Sequence, residues 1–400
     1  MPEYLAPGVF VEEVRHGRGT IDSASTSTTA LVGPTRKGPL QTPTAVRSFA
    51  EYQATFGPAE RESLVSMAAW QYFSNGGRVA VVVSTARTGS HADAGIAAVD
   101  LVGRKSDETG IFALGNPPSN IPPPNILVMP DTAALAIREH ASAVKTALAF
   151  CEERRVFFIV DPPAPRSKRR ALEQVLDWAK RSGAIRHANA GVYFPRIECA
   201  DPSGKSGTMM TPPSGAIAGI YARTDLRDGV WKAPAGTAAR LLGANDVEIA
   251  LTDVQIGELH GASINSIRPF SPRGVLAWGA RTFVGETTNQ QWKYVNVRRL
   301  LLFIEESLDD GLRWSVFEPN GESLWAQIRL SVSSFLNHLW QAGALIGPSV
   351  KEAYFVKCGR DTMSQTDIND GRVILLIGVA PTRPAEFVIL RIELHTADTH

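Results

Sequence analysis

The sequence predicts a mixed α/β protein of two domains. Its 400 residues exceed the usual size of a single domain. Helical stripes and short apolar runs alternate between residues 64 and 194, which is typical of helices covering a layer of parallel strands. Proline and glycine then crowd residues 199–216, which predicts a loop, and we place a domain boundary near residue 204.

Three helix-and-strand units account for the alternation. In the first, residues 64–73 carry an apolar stripe, Asn75-Gly76-Gly77 ends the helix, and residues 79–83 form an apolar strand. The two later units repeat this order. Their helices are predicted within 133–150 and from a cap at Ser167 to Gly183, and their strands at 156–160 and 191–194.

The carboxyl half predicts further helices and strands. Thr252 and Gln255 have capping-box spacing, which predicts the start of a short helix. Apolar residues at helical spacing within 297–308 and 324–339 predict two amphipathic helices. Strands are predicted at 353–357, 373–379 and 386–394.

Composition and charge exclude several classes of protein. The chain has 41 basic and 40 acidic residues, so its charge attracts neither nucleic acid nor an anionic membrane. No apolar run approaches the roughly 20 residues of a membrane-spanning helix, and the amino terminus lacks a signal-peptide pattern. Three widely spaced cysteines argue against a disulfide framework or a zinc knuckle, and we expect reduced, buried thiols.

The known catalytic patterns are missing from the sequence. It contains no phosphate loop, dinucleotide-binding fingerprint, zinc-protease motif or nucleophile elbow, so we predict no catalytic residue, metal or cofactor. Asp161 ends an apolar strand, where an α/β enzyme often places a functional carboxylate. Asp161-Pro162-Pro163 equally forms a turn. Both interpretations of this position stay open at this point.

Both ends of the chain have strand-like patterns. Residues 9–14 form a short extended segment before the stretch 17–29, which is rich in glycine, serine and threonine and indicates an arm with a linker. Near the other end, a strand-like alternation runs up to Leu394. Val388, Leu390, Ile392 and Leu394 would lie on one face of the strand, and Ile389, Arg391 and Glu393 on the other. Because unpaired strand edges invite association, these segments either close their own sheet or complete that of a neighbour.

A series of short motifs follows in one order along nearly the whole chain, apart from residues 90–130. The motifs are Tyr4–Glu13, Thr29–Gly33, Lys37–Pro39, Phe73–Gly77, Ala216–Asp225, Gly229–Gly236, Trp278–Thr282, Tyr294–Leu300, Val316–Asn320 and Ala380–Phe387. In this order they resemble the contractile tail sheath proteins of bacteriophages, R-type pyocins and related extracellular contractile injection systems. One departure is Gly236, where asparagine is common in the family.

The resemblance implies a structural, non-enzymatic subunit. Such subunits polymerise helically around an inner tube and contract from a metastable extended state, without hydrolysing nucleotide, to drive the tube through a target envelope. The implied partners are further copies of the chain in stacked six-fold rings, the inner tube protein, and baseplate and terminator proteins, with no nucleic acid and no membrane insertion. Assembly is implied in the bacterial cytoplasm, within a phage tail or a released extracellular particle.

The same resemblance implies a division of the chain into four segments. These are an amino-terminal arm and linker at 1–29, an outer α/β domain at 30–204, a core sheath domain at 205–383, and a carboxyl-terminal strand arm at 384–400. The arms are implied to add strands to neighbouring subunits, while linkers at 17–29 and 381–384 let the body of each subunit move. The implied arm residues are Val9, Phe10, Val11, Glu12, Glu13 and Val14, and Phe387, Val388, Ile389, Leu390, Arg391 and Ile392.

Charged residues of the carboxyl-half helices are candidates for contacts with the tube or between subunits. Exposed ion pairs are individually weak, so such contacts break and re-form at small cost. A solvated helix face explains the same charges equally well. The candidates are Arg298, Arg299, Glu305, Glu306, Asp309 and Asp310.

Two other functions stay open from the sequence. One is an α/β enzyme with its active-site edge near Asp161, and the other is a non-contractile terminator or adaptor of the same kind of particle.

Overall fold

A computed structural model of the chain describes residues 20–59, 63–87, 97–202, 207–285 and 290–386. The described residues have the mixed α/β character that the sequence predicts. Their strands are β1 Thr29–Thr35, β2 Thr44–Val46, β3 Ala80–Arg87, β4 Ile126–Val128, β5 Phe157–Val160, β6 Ala190–Phe194, β7 Ile197–Ala200, β8 Thr208–Thr211, β9 Ala244–Val247, β10 Ile264–Phe270, β11 Gly274–Trp278, β12 Tyr354–Lys357 and β13 Leu376–Val379.

The helices separate most of these strands along the chain. They are α1 Phe49–Phe56, α2 Leu64–Ser74, α3 Ala98–Val102, α4 Ile137–Glu153, α5 Ala171–Arg181, α6 Ser214–Asp228, α7 Asp253–Gly261, α8 Val295–Gly311, α9 Glu322–Gln341, α10 Val350–Ala353 and α11 Gln365–Asn369. None of these helices combines the length and the apolarity that crossing a membrane requires.

The main sheet has the strand order β11-β10-β6-β5-β4-β1-β3-β2. Its strands from β10 to β3 are parallel, and β11 and β2 are antiparallel to their neighbours at the two edges. The chain passes from β1 to β3 on one side and then to β4, β5 and β6 on the other. The direction of winding therefore reverses between β1 and β4, as in doubly wound folds.

Strands β10 and β11 extend this sheet well beyond the boundary predicted near residue 204. The contacts divide the chain elsewhere, into a larger unit of Ser25–Phe303 with the residues from Pro381 onward, and a smaller unit of Ile304–Ala380 with those up to Ala24. Sequence composition pointed to residue 204 because prolines and glycines are frequent in 199–216, a stretch that lies within the larger unit. The division into outer and core sheath domains concerns an assembled particle and stays a prediction.

Helices cover both faces of the main sheet. On β3, Val81 and Val83 belong to the core cluster that includes α4, α5 and α7, and Ala80 and Val82 belong to the cluster that includes α2 and α6. All four side chains are fully buried. Continuous apolar runs, such as residues 79–83 and 156–160, arise because both faces of these parallel strands are covered.

The loop predicted over residues 199–216 is wrong in part. Strands β7 and β8 pair antiparallel across it, with Ile197 opposite Thr211, and helix α6 begins at Ser214. Gly215 and, farther along α6, Gly219 serve close packing, because a Cβ on Gly215 would lie 2.5 Å from Ala68 Cα and one on Gly219 would lie 2.5 Å from the Tyr72 carbonyl oxygen. Helices α2 and α6 thus pack with backbone nearly against backbone.

The other predicted helices are present, but the predicted cap at Ser167 is wrong: its side chain makes no cap hydrogen bond, a 3-10 turn at Lys168–Arg170 follows it, and α5 begins at Ala171. Ser63 accepts a hydrogen bond from the Ser66 N–H at the start of α2, and Thr252 and Gln255 form the predicted capping box of α7. The predicted apolar stripe of α9 is buried, and that of α8 is buried or half-buried, with Leu300 and Ser307 beside it also buried. In the smaller unit, α9 packs against the two-stranded sheet of β12 and β13.

We expect Gly219→Ala to lower the free energy of unfolding by about 1–3 kcal/mol, because the added methyl group overpacks the contact between α2 and α6. The matched control is Gly257→Ala in α7, where an added Cβ meets no atom within 4 Å. That change should raise stability by roughly 0.5–1 kcal/mol. Denaturant unfolding of both variants measures the difference, and equal effects would contradict the close packing.

Candidate functional site

The carboxyl edge of the main sheet brings two aspartates to the ends of neighbouring strands. Asp161 directly follows β5, and Asp131 follows β4 beside the point where the winding reverses. Both side chains are almost fully buried. A Cβ on Gly33 of β1 would lie 2.4 Å from Asp131 Oδ2, so this carboxylate packs directly against β1. In α/β enzymes this edge is the usual place for a ligand.

Each aspartate instead faces the start of a helix. The Ser214 N–H donates to Asp161 Oδ1 at 3.2 Å where α6 begins. The Asp131 carboxylate interacts with the backbone N–H groups of Leu64 and Val65 where α2 begins. Helix N-termini carry free N–H groups and partial positive charge, which favour a carboxylate. The two aspartates therefore hold the ends of the two helices that pack together on one face of the sheet.

Burial controls the protonation of this region. It raises the pKa of Asp131 and of Asp161 to about 7, against the opposing effect of their hydrogen bonds, and the charge of Asp161 raises the pKa of Asp131 further. Burial lowers the pKa of His140 to about 4, so this ring is neutral near pH 7. His140 Nε2 lies 2.9 Å from the Asp161 carbonyl oxygen, where a neutral ring donates its N–H to the backbone.

The space beside Asp161 is too small for a substrate. The cavity that it lines, together with Pro162 and Pro163, has a volume of about 10 Å³, which is room for about one water molecule. Within the described ranges, no group of three histidine, cysteine or acidic side chains could hold a metal ion. Asp161 therefore acts as a buried helix cap, a role that neither sequence interpretation of this residue foresaw.

The charged candidates of α8 fall into two environments. Arg299 is buried and pairs with buried Asp225, with Nη2–Oδ2 at 2.6 Å and Nη1–Oδ1 at 2.9 Å, above the ring of Tyr221. Arg298 Nε donates to Asn189 Oδ1 at 2.6 Å. Both arginines thus hold together the larger unit, and the intermolecular role suggested for them stays a prediction.

The acidic candidates lie farther along α8, in the smaller unit. Asp309 and Asp310 both reach Arg313, at 3.8 and 2.7 Å, and all three side chains are about half exposed or more. Glu305 is exposed and Glu306 half-buried. Exposed pairs of this kind contribute little to stability and remain available to a partner.

The arm residues Val9–Val14 and Phe387–Ile392 lie outside the described residues. The described part of the first linker is not free, because Thr26 accepts a 2.8 Å hydrogen bond from Arg299 Nη2 and Ala24 donates one of 3.0 Å to Ser307 Oγ. β1 follows from Thr29.

The smaller unit carries a sheet of only two strands among the described residues. β12 and β13 pair antiparallel, with Tyr354 opposite Val379 and Lys357 opposite Leu376. Large apolar side chains on and beside it are exposed, namely Phe355 at 48%, Leu376 at 51% and Ile374 at 41%. A two-stranded sheet is marginal alone, and its outer edges present backbone N–H and C=O groups ready for further strands.

A second exposed apolar feature precedes α9. Phe317 is fully exposed and has a φ of 69°, which is rare for a bulky residue. The turn is held by Asn320, whose side chain donates to the carbonyl oxygens of Ile368 and Arg372 and accepts from Trp325 Nε1. The Phe317 ring is therefore exposed on a turn whose backbone is held by hydrogen bonds. Sequence spacing alone does not reveal this arrangement.

Comparisons with known proteins identify related families and structures. Residues 121–283 match the family described as phage tail sheath protein central domain, and residues 287–395 match the phage tail sheath C-terminal domain. Together these regions cover more than half of the chain. The chain is also 23% identical over 188 residues to the tail sheath protein of Vibrio phage KVP40, a match that covers 47% of this chain and 27% of that protein. The aligned part is thus about a quarter of that relative's length.

Solved structures match over nearly the entire chain. The sheath of the extracellular contractile injection system PVC in its contracted state has a TM-score of 0.75 and 28% identity, covering 98% of each chain. The contracted helical sheath of the anti-feeding prophage has a TM-score of 0.74 and 28% identity, covering 98% of this chain and 99% of that one.

We expect Asp131 and Asp161 to make the subunit less stable as the pH rises from about 4 to about 7. Their pKa in the folded chain is raised above the unfolded value of 3.8, so the folded state binds more protons in this range and loses that advantage as they leave. Thermal unfolding at pH 4.5 and 7.5 should show this loss, and Asp131→Asn and Asp161→Asn should each reduce it. Asp177→Asn, on the exposed face of α5, is the control. A pH slope unchanged by both core variants would contradict the assignment.

Asp225→Ala should destabilise the protein by about 3–5 kcal/mol, because it leaves the Arg299 charge buried without its partner. Asp310→Ala breaks an exposed pair with Arg313 and should change stability by about 0.5 kcal/mol or less. Urea unfolding compares the two variants. A small effect of Asp225→Ala would show that the buried pair does not stabilise the fold.

Proposed function

This chain belongs to the phage tail sheath family, and we propose that it is the subunit of a contractile sheath. The observation that carries the proposal is the match of 98% of the chain to sheath subunits of two contractile injection particles. In this proposal the subunits polymerise helically around an inner tube. The sheath then shortens from a metastable extended state and drives the tube through a target envelope.

The two-stranded sheet supports this proposal as an acceptor of strands. Its edges carry unpaired backbone groups among the described residues, and its exposed apolar side chains, Phe355 and Leu376, gain burial when further strands add. We propose that terminal arms of neighbouring subunits, Val9–Val14 and Phe387–Ile392, supply those strands. Main-chain hydrogen bonds would then join the lattice with little dependence on exact side-chain fit.

Contraction in this proposal needs no nucleotide. Subunits assembled in a loose arrangement relax into one with more buried contact, and the free energy released per subunit adds along the polymer. We assign the chain no catalytic role, because Asp161 is engaged as a helix cap beside a cavity of about 10 Å³.

The remaining assignments follow from the family. We propose the inner tube protein, the baseplate and a terminator protein as partners, and assembly in the bacterial cytoplasm. We also propose that residues 30–204 form the outer domain of the subunit in the particle and residues 205–383 its core sheath domain. Asp309 and Asp310 are the better candidates for contacts with a partner, since both are exposed and Arg299 is not.

Removing residues 387–400 should leave a folded subunit that does not form tubes. The deletion leaves every described residue in place but removes the proposed donor strand. Circular dichroism and thermal unfolding check the fold, and negative-stain electron microscopy checks for tubes.

Two further variants complete the truncation experiment. Removal of residues 1–19 should have the same effect, and replacement of 387–400 by a glycine–serine segment of equal length controls for chain length. Tubes of normal length and abundance from either truncated chain would contradict the proposed role of the arms.

A further inference from the structure

The last described residue, Glu386, is bound in a site built from three separate positions of the larger unit. Arg281 contacts it with both ends of its guanidinium group, Nε–Oε1 at 2.7 Å and Nη2–Oε2 at 2.9 Å. Lys293 Nζ lies 3.2 Å from Oε2, and the Tyr294 hydroxyl donates to the same oxygen at 3.1 Å. Paired arginine contacts of this geometry are among the strongest that a carboxylate makes.

Contacts with residues other than Glu386 also hold Arg281 in place. The Arg281 backbone N–H donates to Asn265 Oδ1 at 2.7 Å, and Asn265 Nδ2 donates to the Arg281 carbonyl oxygen at 2.8 Å. Arg281 Nη1 donates to the His260 carbonyl oxygen at 2.9 Å. Two of these contacts fix the Arg281 backbone and one fixes its guanidinium group independently of Glu386, so binding the carboxylate costs less ordering of the arginine.

The charge environment matches an ionised carboxylate. Glu386 is partly buried, which alone would raise its pKa, but hydrogen bonds and positive charge from Arg281 and Lys293 outweigh burial and hold the pKa at about 2. The side chains of Arg281 and Glu386 are 9% and 19% exposed, so water weakens their pairing less than at an open surface. The attachment therefore persists through the neutral and mildly acidic pH range.

The chain that leads to Glu386 is also attached at Thr382. Asn296 Nδ2 donates to the Thr382 carbonyl oxygen at 3.1 Å. Residues 382–386 otherwise form one wall of a groove of about 910 Å³, whose other walls include Trp231, Trp278 and Tyr294. A segment that borders such an open groove has little packing to hold it. The ion pairs of Glu386 supply the attachment that packing does not.

We propose that the site of Arg281, Lys293 and Tyr294 anchors Glu386 and so sets the point where the carboxyl-terminal segment leaves the subunit. This inference rests on the proposed function, because it gives a role to the residue directly before the proposed donor strand. In this inference the attachment point of the proposed donor strand is Glu386 rather than Pro381. Without the anchor, residues 381–386 would extend its reach by about 20 Å, at roughly 3.3 Å per residue.

A fixed departure point matters for strand donation. A donor segment that starts from one place searches a small volume, so its effective concentration at a neighbour's sheet edge is high. Lengthening the tether by six residues in an undefined direction lowers that concentration. The anchor thus positions the arm without touching the acceptor.

The test compares two glutamate variants of the full chain. Glu386→Gln keeps the shape of the side chain but removes its charge. Glu173→Gln is the matched control, because Glu173 also pairs with both ends of an arginine, Arg170, at 2.9 and 2.7 Å, but on the exposed surface. Hydrogen exchange of the monomer reports attachment of residues 382–386, and electron microscopy over a concentration series reports tube formation.

The expected result has two parts. Glu386→Gln should speed amide exchange in residues 382–386 by about tenfold or more, since the segment opens more often. It should also raise the protein concentration needed for tubes, while thermal unfolding stays close to that of the parent chain. Glu173→Gln should change neither quantity.

The other outcomes overturn the inference in distinguishable ways. Unchanged exchange in Glu386→Gln would show that the ion pairs do not anchor the segment. Faster exchange with normal tube formation would show that the anchor does not position the arm, and would leave the proposed sheath function standing. Failure of the parent chain itself to form tubes would remove the proposed function and this inference with it.

Discussion

Strand edges that the described residues leave unpaired are the constraint on which the proposed assembly depends. Among the described residues, β12 and β13 pair only with each other, and an outer strand edge presents donors and acceptors that can pair with a further strand. Apolar side chains beside those edges, such as Phe355 and Leu376, remain about half exposed. Such a surface favours association, because an added strand pairs the backbone groups of the edge and buries the apolar side chains at the same time.

The larger unit, by contrast, has a closely packed core that we expect to stay unchanged during assembly. Its parallel strands are covered on both faces, two glycines bring α2 and α6 into backbone contact, and the Arg299–Asp225 pair is sealed from water. Asp131 and Asp161 tie the ends of the same two helices to the sheet. Buried charges and close contacts of this kind tolerate little rearrangement, so we place the movement of an assembling sheath in the connecting segments rather than in this core.

Local sequence patterns predicted the local structure well. Ser63 and Thr252 cap the predicted helices because capping depends on residues three positions apart, and the apolar stripe of α9 is buried because its spacing fixes one face. The same local reasoning failed where the partner is distant in sequence. Gly215 suggested a loop because nothing near it in sequence shows that Ala68 packs against it. Likewise Arg299 looked like a surface charge until the fold brought it to Asp225, and Asp131 drew no attention at all.

The most direct measurement is a density map of the assembled polymer around the two-stranded sheet. The proposed function predicts that the outer edges of β12 and β13 are paired with terminal segments from other subunits, in both the long and the short form of the sheath. A map in which those edges stay unpaired, or are filled by the terminal segments of the same chain in both forms, would contradict it.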